Sequence, residues 1–209
     1  MSVPIGTDIT GTGTPDAIVG EWSGGAHCCY TLHVFELGEK LRQIGQIKAE
    51  DSDEADFRDL NHDGTLEFVG YDWAFAYWNT SFLYSPAPRI VLKYRQGCFR
   101  LALDMMKDPR PTAAEFAALV RRVRADREWS SDQPTEVCDK ECGVPVPLWK
   151  NMLHLMYTGH ADLAWRLFDE SWPDRQKGKG KFAAAFCKQL SSSRYWSDLK
   201  PAIGACPPQ

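Results

Sequence analysis

No apolar run in this 209-residue chain approaches the roughly 20 residues that a membrane-crossing helix needs. Basic charge is not in excess. There are 24 Lys and Arg against 28 Asp and Glu, a net charge of −4, which excludes general electrostatic binding of nucleic acid. None of the 7 cysteines forms a CxxC pair, so a zinc-ribbon site is excluded. The one glycine-lysine run, "GKGK" at 178–181, lacks the spacing of a phosphate-binding loop and the Ser or Thr that should follow its lysine, and it reads as a solvated turn. The opening stretch, "MSVPIGTDITGTGTPD", carries no export signal and is already turn material. If the chain is exported, a signal has been removed ahead of it.

What is present is material for a core. The chain is 44% hydrophobic and has 8 Trp, 10 Phe and 7 Tyr, which sets it apart from disordered sequences. The cysteines cluster: Cys28 and Cys29 are adjacent, Cys138 and Cys142 are close, Cys187 and Cys206 lie near the end, and Cys98 stands alone. This usage suggests an oxidising compartment, periplasmic or secreted, with Cys138–Cys142 and Cys187–Cys206 bonded. Scattered buried thiols are the alternative.

The patterning changes near residue 105. Before it, "DAIVGEW" (16–22), "YTLHVFEL" (30–37), "LRQIGQI" (41–47), "LEFVGYDW" (66–73), "RIVLKY" (89–94) and "CFRLAL" (98–103) read as strands, with hairpin turns at 37–40 and 95–97. After it the period is helical. Thr112 with Glu115 three residues on predicts a capping box, followed by an apolar stripe of Phe116, Leu119, Val120 and Val123. "PLWKNMLHLMYTG" and "HADLAWRLFDESW" predict a helix hairpin about Gly159, and "KFAAAFCKQL" (181–190) a fourth helix. The expectation is an α+β chain with a β module over 1–104 and a helical domain over 111–209.

Within the β half a motif recurs. "DITGTGTPDAIVGEW" from Asp8 and "DLNHDGTLEFVGYDW" from Asp59 align without a gap at a spacing of 51 residues. They share Asp at the first place, Gly at the sixth, Thr at the seventh and an acid at the ninth, and an apolar strand follows each. Oxygens at places 1, 3, 5, 7 and 9 about a glycine suit calcium, which takes about 6–8 hard oxygen ligands. The expected ligands are Asp59, Asn61, Asp63, the Thr65 carbonyl and Glu67. A polar turn held by its own side chains is the competing reading. Gly70 stands where an EF-hand needs its bidentate glutamate, and the flanks are strand-like, so an EF-hand is excluded. The first loop, with Asp8, Thr10, Thr12, Gly13 and Asp16, has lost two of these side-chain ligands.

The second loop, with its DxNxDGxxE pattern, resembles the calcium loops of FG-GAP or VCBS-type repeats. These lie between strands of propeller blades and in many exported bacterial proteins. "SGGAHCCYTLHVFEL" and "FAYWNTSF" resemble a group of exported bacterial proteins of unassigned function that pair such a β module with a helical tail. The resemblance implies two FG-GAP-like repeats in the β half, and a structural calcium. Two repeats fall short of the four or so blades that a closed propeller needs.

Candidate chemistry elsewhere is sparse. In "SGGAHCCY" (23–30), His27 beside Cys28 invites a nucleophile reading, but adjacent strand residues point to opposite faces and no acid is in place to orient His27. No catalytic residue is expected. A Cys28–Cys29 bond, a bridge to Cys98 and buried thiols all stay open. The acidic run 51–56 reads as a solvated loop, and Arg121, Arg122, Arg124 and Arg127 as the wet face of a helix. His154 and His160 read as ordinary helix-face residues. "YDWAFAYWNTSFLY" (71–84) holds seven aromatics in fourteen residues and reads either as core or as a recognition patch for protein or glycan. The expected function is a calcium-stabilised module that binds another macromolecule. By analogy with periplasmic immunity proteins that resemble such β modules, one form is an inhibitor or immunity protein against a cell-wall hydrolase. A metal-dependent hydrolase using acids of the 51–67 region and a structural envelope component are the competing classes. A loop filled by protein ligands leaves calcium no open position for a substrate, which weighs against the hydrolase.

Overall fold

A computed structural model describes residues 3–25, 29–51, 55–130 and 143–204. The architecture is mixed: two antiparallel sheets and, among the described residues, five α-helices, all in the C-terminal half. The chain divides into two compact units. One takes Met1–Tyr71 and Arg89–Met105; the other takes Asp72–Pro88 and Met106–Gln209. Among the described residues, no helix is long and apolar enough to cross a membrane.

The first unit contains both sheets. Strands β1 (Asp16–Trp22), β2 (Tyr30–Leu37) and β3 (Leu41–Glu50) form one sheet in that order. Strands β4 (Asp56–Arg58), β5 (Glu67–Tyr71), β6 (Arg89–Arg95) and β7 (Cys98–Leu101) form the other. Alternation along the strands sends Leu32, Val34 and Ile47 from the first sheet, and Phe57, Phe68, Ile90 and Leu92 from the second, into the core. Phe57 meets Phe68 and Phe99 edge-on, at centroid distances of 5.5 and 6.1 Å. The bare backbone of Gly45 leaves room for the Phe99 ring: a Cβ there would lie 2.6 Å from it. The acidic run expected as loop is strand by its last residue, since Asp56 pairs with Val69.

The second unit is helical: α1 (Ala113–Arg124), α2 (Val146–Tyr157), α3 (Ala161–Ser171), α4 (Lys179–Leu190) and α5 (Trp196–Ile203). Helix α1 opens with both hydrogen bonds of the Thr112–Glu115 capping box. The Thr112 hydroxyl and N–H both donate to Glu115 Oε2, and these two bonds hold the Glu115 carboxyl below its ordinary pKa. The run Arg121, Arg122 and Arg124 occupies the last turn of α1, where positive charge meets the negative end of the helix dipole. The core of this unit is aromatic. Trp78 packs on Trp149 and Phe182, each at 5.5 Å, and Phe75 on Phe186 at 5.2 Å. Segment Asp72–Pro88 therefore clusters with the helices rather than with the sheets, because Phe75 and Trp78 bury their rings among α2 and α4.

Asp72 anchors the same segment. It is 3% exposed. Its Oδ2 accepts hydrogen bonds from the Tyr157 hydroxyl at 2.6 Å and the Ser193 hydroxyl at 2.5 Å, and its Oδ1 accepts the Ala74 N–H at 3.0 Å. The Gln189 amide adds a hydrogen bond to the Ala74 carbonyl.

Candidate functional site

The two repeated loops of the first unit share one geometry. In each, the first-place aspartate accepts the N–H groups of places five and six. Asp8 takes Thr12 at 3.2 Å and Gly13 at 2.9 Å; Asp59 takes Asp63 at 3.1 Å and Gly64 at 3.0 Å. In each, the ninth-place acid is fully buried and accepts the second-place N–H: Asp16 from Ile9 at 2.9 Å, and Glu67 from Leu60 at 3.0 Å. Places four and six are left-handed in both, at Gly11 (φ 70) and Gly13 (φ 82), and at His62 (φ 59) and Gly64 (φ 85). The loops also meet, since Leu66 N–H donates to the Ile9 carbonyl at 3.1 Å.

The residues expected as metal ligands lie together in the second loop, engaged with one another and with a residue the sequence reading did not single out. Asn61 Nδ2 donates to Asp63 Oδ2 at 2.8 Å, and Asp63 Oδ1 accepts the Thr65 N–H and hydroxyl. The Lys93 ammonium, on β6, lies 2.5 Å from Asp63 Oδ2 and 2.8 Å from Glu67 Oε1. It is a cation supplied by the chain between two of the five expected ligands. Its hydrogen bond, with those of Thr65 and Asn61, drives the Asp63 pKa far below the usual carboxylate value. Burial pulls the Lys93 pKa down, but its hydrogen bonds and charge interactions with Asp63 and Glu67 outweigh this, and the net shift is upward. Both groups stay ionised. Among the described residues, no group of three or more His, Cys, Asp or Glu side chains is placed to hold a metal ion. A calcium ion using Asp63 and Glu67 would have to displace Lys93, because about 4 Å between a divalent ion and an ammonium is strongly repulsive even at a protein-surface dielectric. The strand register brings Lys93 there: β6 pairs with β5, and the Phe68↔Leu92 pairing puts Lys93 next to Glu67. The first loop has no such partner among the described residues. Asp16 Oδ1 is buried there without a hydrogen bond.

His27 and Cys28 lie outside the described residues, as do Cys138, Cys142 and Cys206, and so both expected disulfide pairs. Cys29 and Cys187 are disulfide-bonded. Cys98 is a free, exposed thiol, which rules out the bridge to it. His154 makes a 3.4 Å pair with Asp108, whereas His160 precedes α3 and uses Nε2 on the Asp108 carbonyl at 2.9 Å.

The aromatic stretch of the second unit has two faces. Phe75 is buried, and Trp78 is half-buried against Trp149 and Phe182. Leu83 (81%), Tyr84 (65%) and Tyr77 (59%) are exposed. Leu83 and Tyr84 are mounted on a short 3-10 turn, Phe82–Tyr84, whose Phe82 ring stacks on Trp73 at 5.1 Å and lies 5.4 Å from the ring of Tyr77. Tyr77 (φ 59) and Asn79 (φ 52) adopt the left-handed backbone that non-glycine residues rarely take, and Ser85 Oγ accepts the Tyr77 N–H at 2.8 Å. No known family, curated protein or solved structure matches this chain.

Proposed function

We propose that the chain is an exported module that binds another protein, in the form of an inhibitor or immunity protein against a cell-wall hydrolase. The observation that carries this is the exposed group Tyr77, Leu83 and Tyr84, held out by a turn with strained backbone at Tyr77 and Asn79. A glycan platform would need polar side chains ringing the aromatics. Here the Ser85 hydroxyl is spent on backbone groups, the Asn79 Nδ2 is buried without a partner, and the most exposed residue is aliphatic Leu83. That composition favours a protein partner over a glycan. Disulfide bonds at Cys29 and Cys187 support an oxidising compartment. The shared loop geometry supports two FG-GAP-like repeats in the first unit. In this reading calcium has a structural role only where it displaces Lys93 from Asp63 and Glu67, with which the ammonium is paired.

The test is peptidoglycan clearing by a cell-wall hydrolase encoded beside this chain, with and without the purified protein. The parent should inhibit near stoichiometry, and Leu83→Asp should not. Absence of inhibition by the parent, or equal inhibition by both, would overturn the proposal.

A further inference from the structure

We propose that the outer edge of β1 is a docking site for an extended peptide segment of a partner protein, which adds to the sheet as a further strand. This inference stands on the first unit alone and does not depend on the aromatic turn of the second.

Strand β1 ends its sheet and has β2 as its sheet neighbour. The two pair without a register shift, from Asp16↔Glu36 to Trp22↔Tyr30. Leu37 N–H donates to the Pro15 carbonyl at 2.8 Å, which sets the phase of the ladder. In an antiparallel pair, hydrogen-bonded and non-bonded residues alternate, so Ala17, Val19 and Glu21 turn their backbone groups to β2. Asp16, Ile18, Gly20 and Trp22 turn theirs outward. Asp16 confirms the phase: its N–H donates outward to the Thr7 carbonyl, and its carbonyl accepts the Gly6 N–H, both at 2.9 Å. Residues 6 and 7 thus cover the edge at Asp16. Beyond that point, the outward N–H and C=O groups of Ile18, Gly20 and Trp22 have no backbone partner among the described residues.

Such an edge is usually guarded by lysine, proline or a bulge. β1 reads "DAIVGEW" and has none of these. Its exposed acid, Glu21, is turned across the sheet to His33 at 2.8 Å. What the open end presents is apolar. Trp22 is 64% exposed, and Tyr30, directly across from it, is 42% exposed. The Tyr30 hydroxyl lies over Gly20, where a Cβ would come within 2.6 Å of it.

These features define the ligand's chemistry. Donors and acceptors repeat every second residue, a spacing of about 6.8 Å that matches an extended backbone and no helix. The open length admits pairing along Ile18–Trp22. The ligand needs free N–H groups at alternate positions, hence no proline there, and an apolar side chain to lie against Trp22 and Tyr30.

The test begins with a displayed library of random heptapeptides, selected on the full chain. The best peptide is then remade with N-methyl groups at one or the other set of alternate amides. Hydrogen exchange is followed by NMR, together with the mass of the free chain by sedimentation. The amides of Ile18, Gly20 and Trp22 should exchange freely in the monomeric free chain and slow by more than about tenfold with peptide. One N-methylated set should abolish binding and the other retain it. Ile18→Pro, which removes an outward N–H and leaves the β1–β2 bonds intact, should lose the peptide, as should Val19→Lys, which guards the edge without touching the backbone. Leu41→Lys, at another exposed apolar position, should bind as the parent does. The proposal is overturned if no peptide is selected, if binding leaves the three amides unprotected, if both N-methylated sets bind, or if both edge variants bind like the parent. It is also overturned if the amides are already protected in the free chain or if the chain self-associates through this edge.

Discussion

Leu66 donates its backbone N–H to the carbonyl of Ile9, so the two repeated loops are hydrogen-bonded to each other as well as alike. Ile9 is 1% exposed, and the bond carries the eighth place of one loop to the second place of the other. The pair of loops behaves as one structural element, and a change at their contact should be felt in both.

Gly11 is where that contact is tightest. Its φ is +70, and a Cβ there would lie 2.3 Å from Thr65 Cγ2. Gly11→Ala adds a left-handed alanine, at about 1–2 kcal/mol, to a steric clash. Thermal unfolding should show a loss of at least that size. Thr65→Ser removes the clashing methyl and should return part of it in the double variant. The strain at φ +70 should remain. If the two changes are simply additive, the loops do not press on each other at this point.

Lys93 sets how the second loop responds to calcium. In the parent, calcium must displace an ammonium that is paired with Asp63 and Glu67, so chelator should move the midpoint of thermal unfolding little. Lys93→Met leaves the buried Glu67 carboxylate without its cation and should destabilise the chelated protein by about 3 kcal/mol. Calcium at a hundred times its dissociation constant should then restore about 2.7 kcal/mol. A parent that gains as much from calcium as Lys93→Met does would show that the two cations do not compete. Asp63→Ala should abolish any calcium gain in either background.

Tyr157 gives the fold an alkaline limit. Burial, reinforced by the charge of Asp72 and the hydrogen bond to it, pushes the phenol pKa well above its ordinary value. A group whose pKa is raised by folding contributes stability that is complete below its unfolded pKa, about 10 for tyrosine, and is lost as pH climbs from there toward the folded value. Denaturant unfolding should therefore weaken above about pH 10 in the parent. Tyr157→Phe should flatten that fall. At neutral pH it should cost about 1–3 kcal/mol, because the buried Asp72 carboxylate loses one of its donors. An unchanged alkaline slope in Tyr157→Phe would assign the effect to other groups.

Alkylation without reductant, read by peptide mass, should label Cys98, which is free and exposed, and leave Cys29 and Cys187 unlabelled as disulfide-bonded cysteines. Labelling of either of the latter two under native conditions would contradict the bonds described at those positions.

The sequence by itself determined what depends on near neighbours. Short β-like runs bounded by turn residues placed β1, β2 and β6 at their observed bounds or within one residue of them, because strand and turn chemistry are both local. The Thr112–Glu115 spacing placed the start of α1, since a capping box closes within three residues. The loop repeat was legible because its hydrogen bonds run from Asp8 and Asp59 to amides four and five places on. Short or atypical elements escaped. β4 has three residues and grows out of an acidic run, and α5 has eight residues with Pro201 inside it. Tertiary structure alone decided the partners that lie far along the chain. It seated Phe75 and Trp78 among the helices and closed Asp72 onto Tyr157 and Ser193. It set Lys93 between Asp63 and Glu67, and among the described residues it left the outward backbone groups of β1 past Asp16 without a backbone partner. Side-chain periodicity says which face is buried, but not what buries it: that is fixed by the path of the whole chain, and so the cation of the second loop was absent from the pattern that marked the loop itself.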